Sequence, residues 1–412
     1  MLVNSAGCST PRNRQRLTRA GMFAKCLARG FGCTALLGKK YNLRPSIPNR
    51  KSWEGAAMIQ PYTAVGLIPT FWGARRREDI QKNLEHLRHL TKAAVLLSNL
   101  DIPVRLVAVP EGALQGFNDE VLDIEPVEYA KTCAIDIPGR ETDELGRLAK
   151  EYGVFLMAEA KARHPDWPDL FFNVGMIFDS DGALILQHYK LSALLPYEHS
   201  VSPHDLYDWW IERYGRTLSA FWPVVDTAIG RLGVMMAMEG NYPENGRGLA
   251  MNGAEVVYRA AMPGPLTQSD VFEISNRARA LENNMYVIAP NIGTYHLTPD
   301  SETPIDAGGG QSMIVDYRGA IIGKQRATNG SGFVSGVINI EALRHHRESA
   351  QVTNWLKDVR SELAQLIYER PVYPKNLYLD RPPGKHLDYK REVIDRQVAM
   401  MQERGIWKAP AR

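Results

Sequence analysis

The chain has 412 residues, of which 44% are hydrophobic and 23% charged, with four cysteines and a formal net charge of +3. That is apolar material enough for a packed core, which excludes a disordered chain, and no run nears the roughly 20 apolar residues of a spanning helix, which argues against a membrane protein. Residues 1–53 hold eleven Lys and Arg and no Asp or Glu, so removing them from +3 leaves the remainder at −8, with no electrostatic footprint for nucleic acid.

The basic stretch opens the chain, and residues 1–58 read as an N-terminal extension. An Arg-rich, acid-free leader with scattered Ser and Ala has the composition of an organelle transit segment. It equally fits an extension upstream of Met22 or Met58, or an arm on a neighbouring subunit. The location expected is cytoplasmic, with organelle import as the alternative. Cys8, Cys26 and Cys33 lie in this leader at spacings that match no CxxC pattern, and Cys133 stands alone in the body. A disulfide framework is therefore not expected, and a reducing compartment fits.

From Tyr62 onward strand and helix signals alternate. "YTAVGLIPTF" (62–71) reads as a strand, followed by Ile80, Leu84, Leu87 and Val95 at helical spacing. "VRLVAVPEG" (104–112) is a second strand ending in a loop. "ETDELGRLAKEYG" (141–153) sets Leu145, Leu148, Ala149 and Tyr152 on one helical face, with acids in the first turn and Gly153 as a stop. Two strands follow, "VFLMAEAKA" and "FFNVGMIFDSDGALILQHYK", the latter folded into a hairpin at Asp179–Gly182. Then come "GRLGVMMAM", a helix from about Pro243 to Asn252, "AEVVYRAA", a helix through "SDVFEISNRARALENN", and "MYVIAPNIG". A hairpin in "GQSMIVDYRGAIIGKQ" closes the series. Hairpins mixed with helices predict paired sheets with helices outside, a layered α/β sandwich, rather than a purely parallel doubly wound sheet. Residues 346–412 are rich in Tyr, Pro and Arg with little periodicity, and are expected to wrap a neighbouring subunit.

Strand ends project side chains into loops that can form a site. Glu111 ends "LVAVPEG", Lys190 ends "LILQHYK", Glu198 follows in the next loop, and Ala237 lies near the end of "RLGVMMAM". "PEGALQGF", "HYKLSALLPYE" and "GVMMAMEGNYPENGRGLAMNGAEVVYR" together resemble the three signature regions of the nitrilase superfamily, the carbon-nitrogen hydrolases, over about Tyr62–Ile338. The resemblance implies a four-layer α-β-β-α sandwich over residues 59–345. It also makes Glu111 the general base, Lys190 the cation of the oxyanion site, and Glu198 the second glutamate that supports Lys190. The family's nucleophilic cysteine falls on Ala237. A thiol activated by a buried carboxylate attacks an amide carbon, and the tetrahedral oxyanion needs donors such as Lys190 and the backbone N–H of Met238.

Alanine supplies neither thiol nor proton, so the chain as written is expected to be nearly inert in that reaction. Retention of Glu111, Lys190 and Glu198 favours replacement of the cysteine in an otherwise working site over a naturally inactive binding protein. Cys133 has no partner nearby in sequence, and a Ser-His reading of Ser200, Ser202 and His204 lacks a nucleophile-elbow pattern. The ten histidines show no metal-ligand spacing, and no metal or cofactor is expected.

"EGNYPE" (239–244) is closer to the amidase branches, formamidase included. The long interval containing "LYDWWIERYG" is closer to the N-carbamoyl amino-acid hydrolases. The substrate expected is a small amide or carbamoyl compound, with nitriles a distant third. Tyr242, Tyr197 and Trp209 or Trp210 are candidate pocket walls, the tryptophan pair equally fitting a subunit interface or the underside of the loop, and Arg259 is a candidate ligand for a substrate carboxylate or, equally, a partner for an internal acid. The partners expected are that substrate and further copies of the chain, as a dimer or larger homo-oligomer.

Overall fold

A computed structural model describes residues 58–194, 196–305, 308–326 and 330–411, all within one compact unit, Ile47–Arg412. The basic leader and its three cysteines lie outside the described residues.

The first strand, β1 (Tyr62–Ile68), is buried at every position, as a strand covered on both faces must be. The sequence reading carried it to Phe71. It stops at Ile68 ahead of Pro69, which has no N–H for the ladder, and Phe71–Trp72 forms a separate short strand, β2. Further along are β3 (Val104–Ala108), β4 (Phe155–His164), β5 (Trp167–Phe178) and β6 (Leu184–Tyr189). The strands β7 (Val224–Thr227), β8 (Gly230–Val234), β9 (Val256–Tyr258), β10 (Tyr286–Ala289) and β11 (Tyr295–His296) follow. The set ends with β12 (Met313–Val315), β13 (Ile321–Lys324) and β14 (Gly332–Ile338).

These strands form two six-stranded sheets, ordered β14-β1-β3-β4-β5-β6 and β13-β12-β10-β9-β8-β7, and a small pair of β2 with β11. The inner strands of both sheets run parallel, β1 with β3 and β4, and β8 with β9 and β10, while antiparallel strands close the edges, β14 on β1 and the hairpins β5-β6, β7-β8 and β12-β13. Ala64, Leu106, Met157 and Ile177 of the first sheet meet Leu232, Val234, Tyr258 and Ile314 of the second in one buried cluster. The outer face of the first sheet packs Val65, Leu67 and Val107 on the helices Ile80–Ser98 and Arg140–Tyr152. The outer face of the second packs Val257 and Val287 on the helices Pro243–Met251 and Val271–Asn283. The result is the expected four layers, α-β-β-α.

Several elements carry weaker sequence signals. In β14 the alternation is sound, with Val334, Gly336 and Ile338 buried and Ser335 and Val337 exposed, but two glycines and a serine blunt it. Residues 361–403 contain the short helices Ser361–Ile367, His386–Tyr389 and Asp395–Glu403. Through Tyr378, Tyr389 and Val393, buried beside Val201 and Leu206, this segment packs on its own chain. Among the described residues no helix is long and apolar enough to cross a membrane.

Candidate active site

The ends of β3, β6 and β8 carry the site. Lys190, the residue after β6, donates from Nζ to Glu111 Oε1 at 2.9 Å and to Glu198 Oε2 at 2.7 Å. All three side chains are buried. Glu198 is held by further donors: Leu194 N at 2.8 Å, Ser200 Oγ at 2.7 Å, and Asn173 Nδ2. Glu111 Oε2 accepts from Met262 N at 3.3 Å, which ties β3 of one sheet to the segment after β9 of the other.

The carboxylates are tuned apart by their surroundings. Burial pushes Glu111 above the usual carboxylate range, against the pull of Lys190, and the charge of Glu198 adds to the rise. Burial acts on Glu198 too, but the adjacent Lys190 and the hydrogen bonds from Ser200 and Leu194 outweigh it and hold Glu198 below its ordinary value. The Lys190 ammonium is favoured strongly despite its burial, because both glutamates face it.

A further carboxylate, Glu159 on β4, is buried and accepts from Gly112 N at 2.8 Å; burial and Glu111 push it up to about 7. Behind it, Lys161 Nζ bonds Asp119 at 2.5 Å and Glu120 at 3.0 Å, and burial pushes Glu120 up to about 8. Lys190 thus pairs with Glu111 and Glu198 and Lys161 with Asp119 and Glu120, and burial favours the protonated forms of Glu120 and Glu159 in this acid-rich cluster.

Ala237 stands at the tip of a tight turn past β8, with φ 39° in the left-handed region. Its N–H donates to Ala260 O at 2.6 Å, and its carbonyl accepts from Arg259 Nε at 3.1 Å and Nη2 at 2.9 Å. Two residues on, Glu239 accepts from Met236 N and Leu191 N, each at 2.6 Å, and from His188 Nε2 at 2.9 Å. One buried carboxylate therefore fixes the turn of Ala237 to both flanks of the strand end that carries Lys190. Met238 occupies the first turn of the 3-10 helix Ala237–Asn241, where backbone N–H groups lack intrahelical partners, a suitable place for an anion.

A cavity of about 840 Å³ opens beside this turn, lined on the near side by Met238, Tyr242 and Leu191–Leu194. Farther out its walls are Tyr207, Phe221 and Trp222, with Tyr373, Tyr389 and Trp407 from the C-terminal segment. Tyr242 is among the residues lining this cavity. Tyr197 is not a wall: it is exposed and packs edge-on to His386, 5.4 Å between ring centres. The two tryptophans belong to an aromatic cluster, Trp209 against His164 and Trp167 and Trp210 against Tyr189 and Tyr214.

Arg259 departs most from expectation. It is buried, and beyond Ala237 O it bonds Ser275, Asn276 and Asn241 and lies over the Phe272 ring, 5.0 Å from its centre. Every face of the guanidinium is engaged, so it braces the turn instead of reading a substrate. Glu159, Asn173 and Glu239 are the members that the sequence reading missed; only Glu239 gave a signal, as the acid that directly follows the turn. Cys133 is buried in the core with its thiol pushed up to about 12 by burial, and Ser200 and Ser202 are bound to Glu198 and Asp205.

The model of the family described as carbon-nitrogen hydrolase matches residues 56–347. Formamidases of Bacillus cereus and Bacillus anthracis are 31% identical to this chain over 227 residues, which cover 53% of it and 58% of the formamidases. The chain thus spans little more than half the length of these relatives. Among solved structures, a Cys-to-Ala mutant of an amidase of the nitrilase superfamily from Nesterenkonia AN1 superposes with a TM-score of 0.54 at 18% identity, covering 74% of this chain and 97% of that one. A carbon-nitrogen hydrolase from Helicobacter pylori gives 0.55 at 19% identity, covering 76% and 99%. With the family model spanning the whole two-sheet body and the ends of β3, β6 and β8, this chain belongs to the carbon-nitrogen hydrolase family.

Proposed function

We propose that this fold is built to hydrolyse the C–N bond of an amide through a Glu-Lys-Cys site, and that with Ala237 the chain binds such a substrate without turning it over. The carrying observation is that Lys190 bonds both Glu111 and Glu198 while Glu239 ties the strand end that carries Lys190 to the strained turn of Ala237, a position with no nucleophile. With a thiol at position 237, its proton passes to Glu111 and the sulfur bonds to the amide carbon. The oxyanion is met by the Lys190 ammonium and the N–H of Met238. The C–N bond then breaks as Glu111 returns the proton to the leaving amine, and water, deprotonated by the same Glu111, cleaves the thioester. Alanine stops this sequence at its first step. A naturally inactive binding protein is the competing reading from another class.

The mostly apolar cavity supports an amide with a bulky apolar substituent. Arg216 favours a second reading, an N-carbamoyl acid: it lies on the cavity rim, is exposed, and has no ion pair among the described residues. It is free for a carboxylate where Arg259 is not. The exposed Leu363, Leu366 and Ile367 on the helix Ser361–Ile367 support a homo-oligomeric assembly.

The test is Ala237→Cys assayed on a panel of amides and N-carbamoyl acids, with mass spectrometry for an acyl adduct. Turnover is expected for one of the two classes; Arg216→Ala in that background raises KM for the acids alone if the second reading holds. No turnover and no adduct across the panel would leave the binding-protein reading in its place.

A further inference from the structure

We propose that Asp123, His199 and His386 form a binding site for a divalent transition cation of the zinc type, which pins the C-terminal segment to the loop carrying Glu198. The three residues come from distant parts of the chain. Asp123 lies in the turn after the short helix Asn118–Val121, His199 directly follows Glu198, and His386 opens a helix of the C-terminal segment. One potential ligand atom of each lies within 4.8 Å of the other two.

The spacing suits a metal. Asp123 Oδ1 is 3.1 Å from His199 Nε2 and 3.6 Å from His386 Nε2, and the two rings lie 4.8 Å apart at 34°. Two ligands at bonds of about 2.0–2.1 Å on a tetrahedral ion are roughly 3.3 Å apart, so a small rotation of His386 completes the set. His199 supplies an independent observation: it is fully buried, its Nε2 faces Asp123 Oδ1 at 3.1 Å without the geometry of a hydrogen bond, and its Nδ1 has no hydrogen-bond partner. A buried ring nitrogen aimed at a carboxylate it does not hydrogen-bond is costly, and a cation between the two removes that cost. The other polar contacts are consistent with this arrangement. His386 N donates to Asp123 Oδ1 at 3.2 Å, and His386 Nε2 lies 3.0 Å from Tyr197 O, a contact it exchanges for the ion.

Two imidazoles and one carboxylate suit zinc and its neighbours, not magnesium or calcium, which prefer all-oxygen shells. Water takes the fourth position. The ion has no part in the hydrolytic reading, and its existence does not depend on that reading. It acts as a clasp: His199 is bonded through the chain to Glu198, and His386 belongs to the segment whose Tyr389 walls the cavity.

The experiment uses the full chain without a metal-binding tag, stripped with a chelator and titrated with zinc, beside His386→Ala and Asp123→Asn. Both substituted side chains are partly exposed, so the fold survives their change. Thiols of the leader are common to all three proteins and cancel in the comparison. About one zinc more per chain is expected in the parent than in either variant, with a Kd tighter by at least about tenfold. A zinc-dependent rise in Tm of about 4 °C or more should appear in the parent alone. Equal uptake and equal Tm response in all three proteins, or no uptake by the parent, overturns the proposal.

Discussion

At Ala237 the backbone adopts φ 39°, where a residue with a Cβ carries on the order of 1 kcal/mol of strain. Such strain persists because Arg259 and Ala260 hold both peptide groups of the turn. In the proposed reaction Glu111 works as a base only when ionised, and burial lifts its pKa in the folded chain. In the Ala237→Cys protein, kcat/KM is therefore expected to fall as pH drops through a value above the ordinary glutamate pKa of about 4.3. A pH–rate profile locates that limb, and Glu111→Gln should remove it while lowering the rate by about 10²–10⁴. An acid limb at or below the ordinary value would contradict the assignment of Glu111 as base.

Among the elements, the turn after β8 depends on a close approach. A Cβ on Gly240 would come within 2.1 Å of Arg259 Nε, so Gly240→Ala must displace the guanidinium from the carbonyl of Ala237. The expected loss of stability is about 1–3 kcal/mol by denaturant unfolding. In the thiol-restored background kcat should fall with it, and an unchanged kcat would show that the brace is not needed for catalysis. This dependence also explains what could be read from sequence. Glu111 and Lys190 stand at the ends of runs with a clear strand pattern, so their convergence follows from the fold. Glu159 and Asn173 lie inside long buried strands, where a polar residue looks like any other interruption until the facing charges are known. Arg259 was misread for a related reason: periodicity places it on β9's end, but only the helix Val271–Asn283 packed above shows Ser275 and Asn276 waiting for it.

On the scale of the whole molecule, the C-terminal segment alters the chemistry of what it covers. Tyr378 N donates to Asp205 O at 3.1 Å, and Asn376 N to His204 O at 3.1 Å, so the segment is laced to the loop after Glu198. Asp205 is buried beneath it, with Oδ2 bonded to Ser202 N and Oγ and Oδ1 without a partner. Burial is the largest influence and pushes its pKa up to about 6, against the hydrogen bonds from Ser202. The sign of the linkage follows: the folded chain holds this proton more tightly than the unfolded one, whose aspartate titrates near 3.9. Stability from this group is therefore full below about pH 4 and is lost as pH rises through about 6, by on the order of 3 kcal/mol. Asp205→Asn keeps the shape and removes the proton, so its stability relative to the parent should improve between pH 4 and pH 7. Urea unfolding of both proteins at the two pH values measures this difference directly. A constant difference would mean that the segment lifts away from Asp205 in solution, and with it Tyr373 and Tyr389 would leave the cavity wall.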